Sequence, residues 1–415
     1  MTSFYDTLET RPAADREAQL LAALPAQVAH AQRSSTAFAE ILQGVDATKV
    51  RNRAALAKLP VTRKGELFER QKAQRAADPF GGFSALVRGP AMPRIYASPG
   101  PIYEPEGSTR DYWRVGRAMF AAGFRSGDLV HNAFSYHMTP GAFIMESGAH
   151  AVGCTVFPAG VGQTEQQLQA IAELRPVAYA GTPSFLRILV EKAQEAGSDI
   201  SSLRKGMVGG EAFPPSLRDW FLERGLDVYQ SYATADLGLI AYETSSRQGL
   251  VVDEGVLVEI VRPGTGDPVP AGEVGEVVVT TLNPGYPLIR FGTGDLSAVL
   301  EGEDPTGRTN VRIKGWLGRA DQTTKIRGMF VHPSQVADIA RRFPEIVKAR
   351  LVVSGEMAND LMTFKVEAAS APQDLGIRIG EAVRDVTKLR ADVELVQPGS
   401  LPNDGKVIED ARSYK

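Results

Sequence analysis

The chain has 415 residues, enough for two or three domains with separate cores, and 43% hydrophobic against 23% charged residues is ordinary globular composition. A net charge of −3 leaves no basic excess to neutralise nucleic-acid phosphates or an anionic membrane, so neither is an expected partner. The single cysteine, Cys154, excludes an internal disulfide and a multi-cysteine zinc centre. Residues 1–11 carry acids and no apolar run, and apolar stretches fall far short of the roughly 18 residues of a membrane span. The expectation is a soluble, cytoplasmic protein.

In chain order, residues 15–75 read as helical, with Leu20, Leu21, Leu24, Val28 and Ala31 at helical spacing. Pro60-Val61-Thr62 predicts a helix start with Thr62 as N-cap. Residues 80–107 form a Gly/Pro-rich loop, and Ser108 is expected to cap a helix reaching Gly123. Short apolar strands then alternate with amphipathic helices: strands at 129–134, 155–158, 177–180, 205–208 and 227–230, helices at 141–151, 165–174, 184–196 and 215–224. This alternation predicts a largely parallel sheet with helices on both faces and ligands at the carboxyl ends of its strands. Chemistry is therefore expected in the loops at 158–163, 181–184, 209–214 and 231–238. Residues 250–297 read as short strands joined by Gly/Pro turns, an antiparallel barrel or meander. After Gly315 come a strand, a helix over 333–342, two strands, a helix over 376–389 and a last strand. The fold class is thus α/β: a large N-terminal domain over 1–318 with mostly parallel sheets and an antiparallel β-rich subdomain near 240–315, then a small α+β domain over 319–415.

Five segments invite chemistry. In Val208-Gly209-Gly210-Glu211-Ala212-Phe213 the glycines let a flat base approach main chain, although a strand-to-helix turn reads the same way. Ser231-Tyr232-Ala233-Thr234-Ala235-Asp236-Leu237-Gly238 carries in Asp236 a carboxylate suited to magnesium, or to capping a turn. In Tyr286-Pro287-Leu288-Ile289-Arg290-Phe291-Gly292-Thr293-Gly294-Asp295-Leu296, a short acid in a rigid turn can accept two hydrogen bonds from a cis-diol, or simply face solvent. Gly318-Arg319-Ala320-Asp321, running on to Gly328, suits a hinge or an ordinary interdomain turn. Leu401-Pro402-Asn403-Asp404-Gly405-Lys406 presents one lysine near the C-terminus, where a lone charge is usually solvated.

Taken together and in this order, over residues 96–406, these segments resemble the motif series of the adenylate-forming superfamily, in its phenylacetate–CoA ligase branch. The resemblance implies that Gly210, Glu211, Ala212, Ser231, Tyr232 and Ala233 surround the adenylate, with Thr234 near the acyl phosphate. It implies that Asp236, one methylene shorter than the family's glutamate, holds Mg2+, that Asp295 and Arg319 bind ribose, and that Asp321 is the hinge of a mobile C-terminal domain. Lys406 would then reach the carboxylate and α-phosphate, offsetting charge as the pentavalent phosphorus forms. Phe134, Tyr136, His137 and Gly209 would line an acyl pocket suited to an aromatic or small cyclic acid. The implied reaction consumes ATP and a carboxylic acid, gives acyl-AMP, and transfers the acyl group to CoA. A carrier protein or small amine is the alternative acceptor, and a homodimer is compatible with the branch.

One segment departs from the pattern. The family's phosphate loop is a Ser/Gly/Thr run ending Gly-x-Pro and falls on Tyr96-Ala97-Ser98-Pro99-Gly100-Pro101-Ile102-Tyr103-Glu104-Pro105, where only Ser98, Gly100 and Pro105 fit. Such loops hold phosphates by successive N–H groups and hydroxyls, but Pro99 and Pro101 have no N–H, and Glu104 adds an anion. Arg94 or Arg110 could compensate; otherwise the chain would hold AMP or acyl-AMP without efficient ATP activation. A rival zinc reading uses Glu146 and His150 at helical spacing with His131 and His137, in a spacing that matches no familiar site.

Overall fold

The computed structural model describes residues 4–320, 322, 324–356, 359–368, 371–402 and 407–412, so the expected hinge Asp321 and lysine Lys406 lie outside the described residues. Contacts divide the chain into two compact units, Met1–Phe213 with Leu217–Leu317, and Pro214–Ser216 with Gly318–Lys415.

In the first unit, helix Ala13–Ser34 buries Leu20, Leu24, Val28 and Ala31, the face that the spacing predicts. Helices Thr36–Ile41, Arg53–Leu56 and Lys64–Gln74 follow. Thr62 is not the cap of the last one. It pairs in parallel with Phe291, its N–H donating to the Arg290 carbonyl at 2.9 Å, so the sheet holds it extended and the helix begins at Lys64. Ser108 likewise caps nothing: the helix is only Gly116–Ala121. Asp111 and Arg114 have φ of 50° and 65°, which breaks a helix, and the Asp111 carboxylate caps the N–H groups of Val115 and Gly116 at 2.9 Å.

Five parallel strands form half of a nine-stranded sheet, in spatial order Thr155–Phe157, Leu129–Asn132, Ala178–Gly181, Lys205–Val208 and Asp227–Thr234. The last strand outruns its expected end because it turns into an antiparallel hairpin with Gly238–Glu243. Leu250–Val252, Arg312–Ile313 and Val299–Leu300 continue the sheet antiparallel. Gly238 sits at φ +71, and a Cβ there would lie 2.9 Å from the Trp113 backbone, so only glycine makes this turn.

Of the two expected forms for residues 250–297, a meander is found and no barrel. Val256–Val261, Gly275–Thr281 and Phe291–Ser297 pair antiparallel, while Leu250–Val252 is taken up by the large sheet. Thr62–Arg63 covers the far edge of this meander, leaving it a four-stranded open sheet. Leu24, Val28 and Phe38 pack against its Val277, Val279 and Phe291, and Val130, Met145, Ala180 and Met207 form a second core around the parallel strands.

Arg290, in the Pro-Leu-Ile-Arg run, is buried to 1% and pins these layers together. Its guanidinium meets Glu259 at 3.0 Å and donates to the carbonyls of Ala57, Leu59 and Gly266 at 2.8, 2.5 and 2.6 Å.

The second unit has its own core of Ile339, Leu351, Phe364 and Val383. Ile346–Glu356 and Asn359–Ala368 pair antiparallel, flanked in parallel by Ile408–Asp410 and Asp392–Val396, with helices Pro333–Arg341 and Leu375–Thr387. Among the described residues, no helix is long and apolar enough to cross a membrane.

Candidate active site

The loops that carry the expected chemistry leave the carboxyl ends of the parallel strands. After Ala178–Gly181, Thr182 caps helix Pro183–Ala196, accepting from Phe185 N–H at 3.3 Å. After Lys205–Val208, Gly209 donates to the Gly181 carbonyl at 3.3 Å, Gly210 turns the chain at φ +76, and Glu211 accepts from the Ser184 hydroxyl at 2.5 Å. Ala212 is half-buried beside it. A Cβ on Gly209 would lie 3.1 Å from the Ser231 carbonyl, so the glycine keeps these two strand ends close. Ser231 donates to the Val208 carbonyl at 3.4 Å, Ala233 sits at an irregularity in the strand pairing, and Thr234 Oγ1 accepts from Leu237 N–H at 3.1 Å.

Tyr232 and Asp295, 63 residues apart in sequence, meet here: the phenol donates to Asp295 Oδ2 at 2.9 Å. Thr293 Oγ1 lies 3.1 Å from the same phenol and accepts from Asp295 N–H at 3.1 Å, which fixes the turn. Trp316 Nε1 donates to Asp295 Oδ1 at 3.1 Å. Both carboxylate oxygens are thus engaged at a half-buried position. Trp316 is a site residue that the motif reading missed; its signal is a tryptophan one turn before the Gly318-Arg319 segment. Arg319 belongs to the second unit.

The expected phosphate loop is a β-hairpin. Arg94–Ser98 pairs antiparallel with Ile102–Glu106, Ser98 opposite Ile102, with Gly100 in the turn. The two donors left on Ser98 are spent inside it: the hydroxyl on Glu104 Oε1, and the N–H on Glu104 Oε2 at 3.2 Å. Neither expected compensator is paired with Glu104 among the described residues. Arg94 pairs with Glu106 at 3.0 Å and covers the Phe143 ring at 4.7 Å, and Arg110 holds the carbonyls of His150 and Ala151 at a helix end. The cation beside Glu104 is Lys64, which has no motif around it. Its ammonium is 2.6 Å from Asp236 Oδ2 and 3.9 Å from Glu104 Oε1. Burial, then the Asp236 charge, push the Glu104 carboxyl up to about 8, against the pull of Lys64 and the Ser98 donors.

Asp236 also fits magnesium. Its side chain is 1% exposed, and among the described residues its Oδ1, a hard oxygen of the kind magnesium takes, has no hydrogen-bond partner.

The expected acyl pocket is partly assembled. Tyr136 accepts from Asn132 Nδ2 at 2.9 Å and donates to Glu146 at 2.7 Å, with its ring edge-on to Phe143 at 5.2 Å. Tyr96 packs on Phe143, also at 5.2 Å, with its hydroxyl on Glu106. Ala97 N–H donates to the Met138 carbonyl at 2.8 Å, so the hairpin and the 134–140 loop are one wall. Phe134 is half-buried beside it, and His137 is exposed. The zinc reading is not supported. Glu146 serves Tyr136, His131 bonds Gln167 at 2.7 Å, and among the described residues no three His, Cys, Asp or Glu side chains are grouped to hold a metal.

This architecture is that of an AMP-binding enzyme, and the profile of the AMP-binding enzyme family matches residues 110–284. The chain is 32% identical to a phenylacetate–coenzyme A ligase of Thermus thermophilus, over 86% of this chain and 87% of that ligase. It is 33% identical to the phenylacetate–coenzyme A ligase of Aromatoleum evansii, over 78% and 75%. Among solved structures, 2-hydroxyisobutyryl-CoA ligase in complex with 2-HIB-AMP and CoA superposes with a TM-score of 0.83 at 25% identity, covering 100% of this chain and 93% of that one. The chain belongs to the phenylacetate–coenzyme A ligase family.

Proposed function

We propose that this protein joins an aromatic carboxylic acid to CoA through an acyl-adenylate. The observation that carries the reading is the Tyr232–Asp295 pair, a diol-sized acceptor beside the Gly209–Ser231 strand ends. In the first half-reaction a carboxylate oxygen of the acid attacks the α-phosphorus of ATP, and the bond to pyrophosphate breaks. In the second, the CoA thiol attacks the acyl carbonyl, its proton is lost, and AMP leaves. Asp295 orients the ribose hydroxyls, and Gly210, Glu211, Ala212 and Tyr232 offer the surface for adenine. Lys406 would offset the charge that develops on the α-phosphate. Asp236 would hold a magnesium ion, which when bound neutralises polyphosphate charge. Rotation about Asp321 would separate the two half-reactions. Tyr96, Tyr136 and Phe143 supply the flat apolar walls that favour an aryl acid. ATP and CoA as substrates, with one buried cysteine, favour a cytoplasmic setting.

One observation favours a second reading: with Ser98 bonded to Glu104, the chain holds adenylates and passes acyl groups to CoA but activates ATP slowly. Acid-dependent exchange of labelled pyrophosphate into ATP across a panel of aryl acids supports the first reading. Silence there, with thioester formed from supplied acyl-adenylate, supports the second. Silence in both refutes both.

A further inference from the structure

A recess of about 630 Å3 lies between the end of helix Lys64–Gln74, the segment 84–92 and the outer face of the hairpin. Side chains alternate along a strand, so Ile95 and Tyr103 line the recess while Tyr96 and Glu104 point to the opposite side. Phe80, Leu86 and Met92 complete its apolar lining. Its walls are tied down by the protein itself. Gln71, fully buried, accepts from Tyr103 N–H at 2.8 Å and donates to the Tyr103 carbonyl at 2.9 Å. Ala85 N–H donates to the Gly285 carbonyl at 3.1 Å, and Met92 N–H to the Gly89 carbonyl at 2.9 Å.

Three charged side chains line the recess, and its two cations have donors to spare. Asp78 is taken up by the N–H groups of Phe80 and Gly82, at 2.9 and 2.7 Å. Arg75 lies over the Tyr103 ring, 5.7 Å from its centre, and spends one donor on the Pro101 carbonyl at 3.2 Å. Its Nε is buried with no hydrogen-bond partner among the described residues. Arg88 is exposed and, among the described residues, makes no hydrogen bond or ion pair.

We propose that this recess is a binding site for an aromatic carboxylate, separate from the acyl pocket. The ring lies on the apolar lining, where Tyr103 and Phe80 offer faces and edges for aromatic contact. The carboxylate meets Arg75 and Arg88, whose planar forks match its two oxygens. The volume falls within the roughly 300–1,000 Å3 of small-molecule sites. Charge narrows the class further. Arg75 and Arg88 against Asp78 leave the lining with one net positive charge, which matches a monoanion better than a polyphosphate. An inorganic anion would leave the apolar lining wet, and an uncharged arene would gain nothing from the two guanidiniums.

The probe is 2-naphthoate, titrated by calorimetry into the full chain without ATP or CoA, so the outcome does not depend on the ligase reading. Arg88→Gln, and Ile95→Trp, which fills the recess from the hairpin side, should each weaken binding about tenfold. The uncharged analogue 2-naphthalenemethanol should bind wild type about tenfold more weakly than the acid. An equivalent bound in the acyl pocket persists in Arg88→Gln, so the equivalent that this variant loses is the one that reports on the recess. Wild-type affinity in Arg88→Gln places all binding elsewhere and overturns the proposal. So does the alcohol binding as tightly as the acid, or no uptake of 2-naphthoate by wild type. If Ile95→Trp fails to fold, Arg88→Gln carries the test alone, since it removes an exposed side chain that bonds to nothing among the described residues.

Discussion

Replacing Glu104 by glutamine should change how the stability of this protein depends on pH. The carboxyl is 1% exposed and is raised from the ordinary 4.5 to about 8, first by burial and then by Asp236. The folded chain thus binds a proton at Glu104 that the unfolded chain has released, so the contribution of this group to stability falls as pH rises from about 4.5 to about 8 and levels off above. Each pH unit crossed costs about 1.4 kcal/mol, which caps the loss near ~5 kcal/mol over that window. Lys64 can turn towards Glu104 as it ionises, so about 2–3 kcal/mol is the expected figure. Glutamine copies the protonated acid, and its amide oxygen can still accept from Ser98 N–H. Urea denaturation in chelator, at half-unit steps from about pH 5 to about 9, should show the two proteins equal at the acid end. The variant should be more stable by about 2–3 kcal/mol at the alkaline end. Curves that stay parallel to within about 0.5 kcal/mol would refute a buried, neutral Glu104.

Asp295→Ala should weaken AMP binding by about 1.5–3 kcal/mol in calorimetry while leaving the melting temperature nearly unchanged. Lys406→Ala should abolish acyl-adenylate formation and spare thioester formation from supplied acyl-adenylate; equal loss of both half-reactions would remove it from the adenylation step. Arg290→Met strands Glu259 and three carbonyls in the interior and should cost about 3–5 kcal/mol in urea titration.

The parallel sheet was legible because each strand is a short apolar block between Gly, Pro or polar turns, and all five begin on the expected residue or one away from it, as with Lys205–Val208. Errors arose where a distant partner decides local structure. Nothing near Thr62 announces that Phe291 will pair with it, and nothing near Ser108 shows that Asp111 takes over the cap. The barrel failed for the same reason, since Leu250–Val252 pairs with Gly238–Glu243 in the nine-stranded sheet. At the site, Pro99 and Pro101 made the loss of phosphate donors readable. That Ser98 closes on Glu104 required the hairpin register, and Lys64 was invisible because its partner lies 172 residues away.

The hydrogen bond from Ala97 to the Met138 carbonyl ties the hairpin to the wall that would touch the acid. Nucleotide handling and substrate choice therefore share a mechanical part. A directed-evolution campaign that restores a Ser/Thr/Gly loop over residues 98–103 would also shift Tyr96 against Phe143. Gains in turnover and drift in acid preference would then be inherited together, and screening on one acid alone would select for both.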